Sequence, residues 1–145
     1  MAQESISVLV SLQSSASSDG EPPEIISLLT SGELTKMDNG YLLRYEETLD
    51  GSDTATHVEL TLENGGVTMR RSGDFDVNMV FRKGQRYEGQ YRTPYGSLGL
   101  ALFCTQVDYT AEPPAGELFL QYQLDINGQF VAMHELTLCF SAKEG

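Results

Sequence analysis

Glu47, Arg71, His134, Tyr45, Tyr91 and Tyr122 are the residues of this chain with the chemistry to hold a small polar molecule. Each sits in phase with the apolar positions of an alternating segment, so each is expected on the inward face of a sheet. Arg71 suits a carboxylate or a phosphate, because a guanidinium presents a planar fork of donors. Glu47 beside it reads in two ways. The pair is a buried ion pair satisfying two costly charges, or it is the polar floor of a ligand site. His134 is a candidate base or pH switch. Catalysis would need a nucleophile or carboxylate placed beside it, and the sequence establishes none. Tyr41 and Tyr87 share the inward phase of the other tyrosines. Such rings either pack the core with hydroxyls at the barrel mouth or line a pocket for an amphipathic ligand.

The remaining reactive side chains suggest less. His57 falls on the wet face of its strand. Cys104 faces inward and reads as a small core hydrophobe, while Cys139 faces outward. No disulfide between them is expected, which suits a reducing compartment. Two Cys and two His far apart give no zinc spacing. Asn64-Gly65-Gly66 is a hairpin turn and not a phosphate loop, because no helix follows it. No catalytic residue, metal or cofactor is expected.

These side chains are positioned by strands. Helical periodicity is nearly absent, and period-two alternation gives about ten strands. The first carries Ile6, Val8, Val10 and Leu12. A loop follows at residues 14–23, with Asp19-Gly20 and Pro22-Pro23. The second strand spans residues 24–36. The third carries Tyr41, Leu43, Tyr45, Glu47 and Leu49. The fourth carries Val58, Leu60 and Leu62, and the fifth Val67, Met69 and Arg71. The sixth carries Phe75, Val77, Met79 and Phe81, and the seventh Tyr87, Gly89 and Tyr91. The eighth carries Leu98, Leu100, Leu102 and Cys104. A loop at 110–116 leads to the last hairpin, with Leu118, Leu120, Tyr122 and Leu124 in its first arm. Phe130, Ala132, His134, Leu136, Leu138 and Phe140 share one face of the second.

Turn chemistry sets the register, because a slip of one residue turns a strand inside out. Asn64-Gly65 as a type I′ loop pairs Leu62 with Val67, Leu60 with Met69 and Val58 with Arg71. Thr93-Pro94-Tyr95-Gly96 as a type I turn pairs Tyr91 with Leu98 and Tyr87 with Leu102. For the last hairpin, parity favours a three-residue loop, Ile126-Asn127-Gly128. That pairs Leu124 with Phe130, Tyr122 with Ala132, Leu120 with His134 and Leu118 with Leu136. A four-residue loop at 51–54 sets Glu47 opposite Val58. Glu47 and Arg71 then flank Val58, roughly 10 Å apart at their alpha carbons. A meander with no helix over its dry face must close on itself or form a sandwich, and its wet outer face favours a barrel.

At 145 residues the chain is expected to form one domain, 1–145, large enough for a core without disulfides. A net charge of −12 argues against a nucleic-acid partner. No run reaches the roughly 18 apolar residues of a membrane helix, so no membrane partner is expected. Met1-Ala2-Gln3-Glu4 lacks the basic start of a secretory signal, so a cytoplasmic protein is expected.

Several motifs in order resemble a known family. They are Tyr45-Glu46-Glu47, Met69-Arg70-Arg71-Ser72-Gly73, Met79-x-Phe81-x-x-Gly84 and Tyr91-x-Thr93-Pro94-Tyr95-Gly96. Gly116-x-Leu118-x-Leu120-x-Tyr122 and His134-Glu135-Leu136-Thr137-Leu138 follow. Together, over residues 40–140, they look like the YwiB-like family of small bacterial proteins. The resemblance implies a calycin-type, lipocalin-like antiparallel barrel in a bacterial cytoplasm, and no reaction. The chain is thus read as an all-β single barrel of about 8–10 strands. It is expected to be a non-enzymatic module holding a small amphipathic or anionic ligand, as a monomer or weak homodimer. The alternative is a protein-interaction module. It would use the first strand as a sheet edge, or an outer patch at Leu9, Phe103, Val107 or Phe119.

Overall fold

The computed structural model describes residues 5–18, 20–48, 55–73 and 76–143. Leu49, Phe75, Asp19 and the loop at 51–54 lie outside them. Ten strands follow one another: β1 (Ser5–Ser17), β2 (Glu24–Met37), β3 (Gly40–Thr48), β4 (Ala55–Glu63), β5 (Gly66–Ser72), β6 (Asp76–Phe81), β7 (Arg86–Thr93), β8 (Gly96–Glu112), β9 (Ala115–Ile126) and β10 (Gln129–Ala142). Every neighbour in sequence is a neighbour in the sheet, and β1 pairs with β10 to close the ring. The expected all-β meander is therefore a closed antiparallel barrel of lipocalin-like type. No helix among the described residues is long and apolar enough to cross a membrane.

Closure removes the proposed edge. β1 pairs along one side with β2, from Ser5↔Thr35 to Ala16↔Glu24. Along the other it pairs with β10, from Val8↔Ala142 to Ser17↔Met133. From Val8 to Ala16 the strand is paired on both sides and offers no free edge for strand addition.

The alternation fills the interior as expected. Val8, Val10, Leu34, Leu43, Leu60, Leu62, Phe81, Leu120 and Leu138 are fully buried. Such aliphatic rows are what a small barrel needs to fill its lumen. Two expected registers hold throughout: Leu62↔Val67 to Val58↔Arg71, and Tyr91↔Leu98 to Tyr87↔Leu102. The Thr93 hydroxyl accepts from the Tyr95 N–H at 3.1 Å and donates to the Gly96 carbonyl at 2.8 Å, which holds that turn. At the other turn Gly65 alone has positive φ, at 87°, so the type I′ assignment for Asn64-Gly65 is corrected while its register stands.

The last hairpin differs from expectation. Asn127 and Gly128 both take positive φ, 51° and 79°, as a two-residue I′ loop requires. The odd residue sits further along, as a bulge between Phe130 and Ala132. His134 therefore pairs with Tyr122, Leu136 with Leu120 and Leu138 with Leu118. Phe130 faces out and is 45% exposed. Asn127 fits this turn for a local reason. Its N–H donates to the Gly99 carbonyl at 2.8 Å, and its side-chain oxygen accepts the Gly99 N–H at 2.8 Å.

A second bulge, between Cys104 and Gln106, reverses the phase of β8. Val107, Tyr109 and Ala111 consequently turn toward the core, so Val107 leaves the proposed outer patch. Leu9 and Phe103 are exposed, and Phe119 is half-buried. The loop expected at 110–116 is mostly strand, since Thr110–Glu112 pair with Ala115–Glu117 around Pro113-Pro114. In the third hairpin Tyr45 pairs with Val58 and Glu47 with Thr56, two residues away from the expected register. The difference lies in loop length: Thr48 pairs with Ala55, which leaves six residues between them and not four.

Candidate functional site

Antiparallel strands place the connections at two ends. The end carrying the 38–39, 64–65 and 113–114 turns is packed with Leu34, Leu62, Leu118, Leu138 and Phe140. Toward the other end the lumen opens into a cavity of about 470 Å³. Its wall includes Tyr45 and Glu47 of β3, Arg71 of β5, Tyr122 of β9 and His134 of β10. The structure thus gathers five of the six expected site residues. Tyr91 is the exception: it packs half-buried against the core from β7 and does not line the cavity. Sequence reasoning missed Leu12, Ile26, Leu28, Met69 and Met79, which form the apolar part of the wall. The inward phase of Leu12, Met69 and Met79 was visible, but that of Ile26 and Leu28 in the run Ile25-Ile26-Ser27-Leu28-Leu29 was not, nor was the depth at which the core stops.

Glu47 and Arg71 meet. The Arg71 Nη2 donates to Glu47 Oε2, with the two side chains 33% and 18% exposed respectively. The contact is diagonal across β4, because Arg71 pairs with Val58 and Val58 with Tyr45, not Glu47. A long guanidinium stem tolerates that two-residue offset. The ion-pair reading is therefore met, with water still reaching the Arg71 side.

Beside the pair lies an unsatisfied group. Tyr45 is 4% exposed, and its hydroxyl has no hydrogen-bond partner among the described residues. Burial, reinforced by the Glu47 carboxylate and opposed by Arg71, holds that hydroxyl protonated well above the usual tyrosine range. Tyr122 is similar: burial pushes it up to about 12 against the opposing charge of Arg71. Both phenols are thus neutral donors near the cavity. The Tyr122 ring packs on Phe81 at 4.8 Å and 58°, and stacks on His134 at 5.0 Å and 6°.

Burial lowers the His134 pKa below the usual value of 6.5. The unfolded chain takes up this proton near pH 6.5, while the folded chain resists it to lower pH. Stability from a neutral His134 is therefore present above about pH 6.5 and is lost as pH falls from there through the folded value. Two-dimensional NMR should show His134 titrating below the usual histidine value of 6.5. His134→Gln should flatten that limb of the stability curve. A His134 midpoint at or above that of an exposed histidine would refute burial as the controlling influence.

Among the described residues no three His, Cys, Asp or Glu side chains cluster as a metal site. Cys104 is buried and Cys139 half-buried, both free. Burial raises the Cys104 thiol, so it rests protonated and a poor nucleophile. The cavity offers neutral phenols, one paired guanidinium and an apolar wall. His134 and the carboxylates of Glu47 and Glu135 share that wall.

Comparison with known proteins agrees with the architecture. The crystal structure of the ywiB protein from Bacillus subtilis superposes with a TM-score of 0.84 at 22% identity, covering 99% of this chain and 96% of that one. That likeness concerns the fold. No curated protein matches the chain. A family model described as a domain of unknown function, DUF1934, matches residues 10–138. The match takes in most of β1 and β2, beyond the span from residue 40 on which the sequence motifs rested. Ten strands, a closed ring and a match over nearly the whole chain lead to one assignment: the chain belongs to the DUF1934 family, the YwiB-like barrels of unknown function.

Proposed function

We propose that this barrel is a non-enzymatic binding module that holds a small amphipathic anion in its open end. The carrying observation is the Tyr45 hydroxyl, buried and unpartnered in a cavity of about 470 Å³. A buried donor without an acceptor costs about 1–3 kcal/mol. A ligand oxygen within reach removes that cost. Arg71 supplies further N–H donors, since Glu47 occupies only one of them. The aliphatic wall takes the apolar tail, and the volume lies in the range of small-molecule pockets.

Decanoate is a suitable probe, with one carboxylate and a flexible chain. Calorimetric titration should show saturable binding at one site. Arg71→Met should weaken it about tenfold or more, the value of a charge-assisted hydrogen bond. Tyr45→Phe is the sharper variant. It should weaken decanoate binding several-fold yet leave the melting temperature of the free protein unchanged or raised. Absence of saturable binding, or equal affinity in Tyr45→Phe, would remove the support this reading has.

A further inference from the structure

The barrel wall is nearly unpaired between β6 and β7. Only Asp76↔Arg92 and Val77↔Tyr91 pair there. On the other side of β7 the ladder runs unbroken from Arg86↔Phe103 to Thr93↔Gly96. Where β6 and β7 part, a cleft of about 330 Å³ opens. Its lining comes from both faces of the sheet. Arg71, Val77 and Tyr87 belong to the inward phase, and Arg70, Asn78 and Arg92 to the outward phase. The cleft therefore enters the wall itself. Arg71 is the one described residue that lines both this cleft and the interior cavity.

The charges here run against the rest of the molecule. The chain has nine Lys and Arg and a net charge of −12, yet three arginines surround this one opening. Arg70 and Arg92 are exposed, and neither forms a hydrogen bond or ion pair among the described residues. Acidic side chains stand near each. Glu59 is the cross-strand neighbour of Arg70, and Asp76 that of Arg92. Neither closes on its arginine, and Asp76 instead accepts the Gly73 N–H at 3.2 Å. Arg71 spends Nη2 on Glu47 and keeps its other donors. Asp76 also lines the cleft and Glu47 pairs with Arg71, so it is Arg70 and Arg92 that leave the concavity with net positive potential. Each matches a multiply charged oxyanion by paired N–H donors. A nucleic acid would meet the acidic surface on either side, whereas a single small phosphate need meet only the cleft.

We infer that the β6–β7 cleft is a second binding site, one that takes a phosphate group, either as free phosphate or on a small phosphomonoester. It stands apart from the interior reading, because Arg70 and Arg92 do not line the interior cavity.

The test is calorimetric titration with inorganic phosphate and, separately, glycerol 3-phosphate at constant ionic strength. Saturable binding of either supports the site, and the tighter of the two identifies the source. The double variant Arg70→Gln, Arg92→Gln should bind about tenfold more weakly or worse, from the loss of two charge-assisted contacts. Both side chains are exposed and unpartnered, so its melting temperature should not change. Arg44→Gln removes an exposed cation on β3, outside the cleft, and should leave affinity intact. Decanoate affinity should also survive in the double variant, so failure here is separable from failure of the interior reading. Absence of saturable binding to both probes overturns the inference. So does unchanged affinity in the double variant, or an equal loss in Arg44→Gln, which would mean diffuse attraction alone.

Discussion

Glu47→Gln should destabilise the folded barrel by about 2–3 kcal/mol, near the lower end of what breaking a buried ion pair costs. The mechanism is asymmetric. Arg71 keeps its charge at any accessible pH, so removing the carboxylate leaves a cation two-thirds buried without its partner. Arg71→Met should cost a similar or smaller amount, because Met keeps an apolar stem in place and strands only the Glu47 carboxylate, whose side chain is 18% exposed. The double variant should cost less than the sum of the two single losses, since two apolar or neutral groups strand no charge. Denaturant melts of the wild type, both single variants and the double variant form a complete cycle. A coupling of about 1–2 kcal/mol is expected, reduced from a fully buried pair by the water that reaches Arg71. Strict additivity of the two single effects would mean that the side chains do not meet in solution.

Gly40→Ala should have an effect as large or larger, of about 3 kcal/mol or more, at the high end of overpacking costs. Gly40 opens β3 and pairs with both Met37 and Glu63. A Cβ built there would lie 1.8 Å from the Leu62 carbonyl oxygen. That oxygen is backbone in the adjoining strand, so no side chain can rotate away to make room. The strand must shift, and with it Leu62, which is fully buried. Gly84→Ala is the comparison, since nothing lies within 4 Å of a Cβ there and only its φ of 76° resists substitution. It should cost about 1 kcal/mol. Equal melting temperatures for the two variants would show that the close approach is not maintained in solution.

The inward phase of most strands was legible because alternation is a local property. Leu60, Leu62, Val67 and Met69 announce their face within a few residues, and the Asn64-Gly65 turn then fixes their register. Glu47 and Arg71 could be brought together for the same reason, despite a misplaced pairing on β3. A two-residue slip preserves the face, and a long arginine absorbs the remaining offset. The bulges were not legible. Thr105 and Val131 look like any strand residue, and only the pairing with β9 shows that each is extra in its strand. Parity at the last hairpin rightly demanded one odd residue but assigned it to the turn. The cavity depended on where packing stops, which no local pattern states. The β6–β7 opening depended on two strands failing to pair beyond Val77↔Tyr91, which no local pattern states either.

The closing ladder has a consequence for the order in which the molecule is made. Val10 pairs with Phe140 and Leu12 with Leu138, so the first strand to leave the ribosome receives its second partner last. Throughout synthesis the β1–β2 hairpin presents an unpaired edge, the kind that recruits other chains. Ser7, Ser11, Gln13 and Ser15 occupy the outward phase of that strand, with Leu9 their one large apolar neighbour. The outer face is thus polar, while the row that will face the core, Val8, Val10 and Leu12, stays without one of its neighbours until β10 arrives. Only β10 offers the matching row of Leu136, Leu138 and Phe140. The serine-rich strand thus waits through translation for the segment that completes the ring.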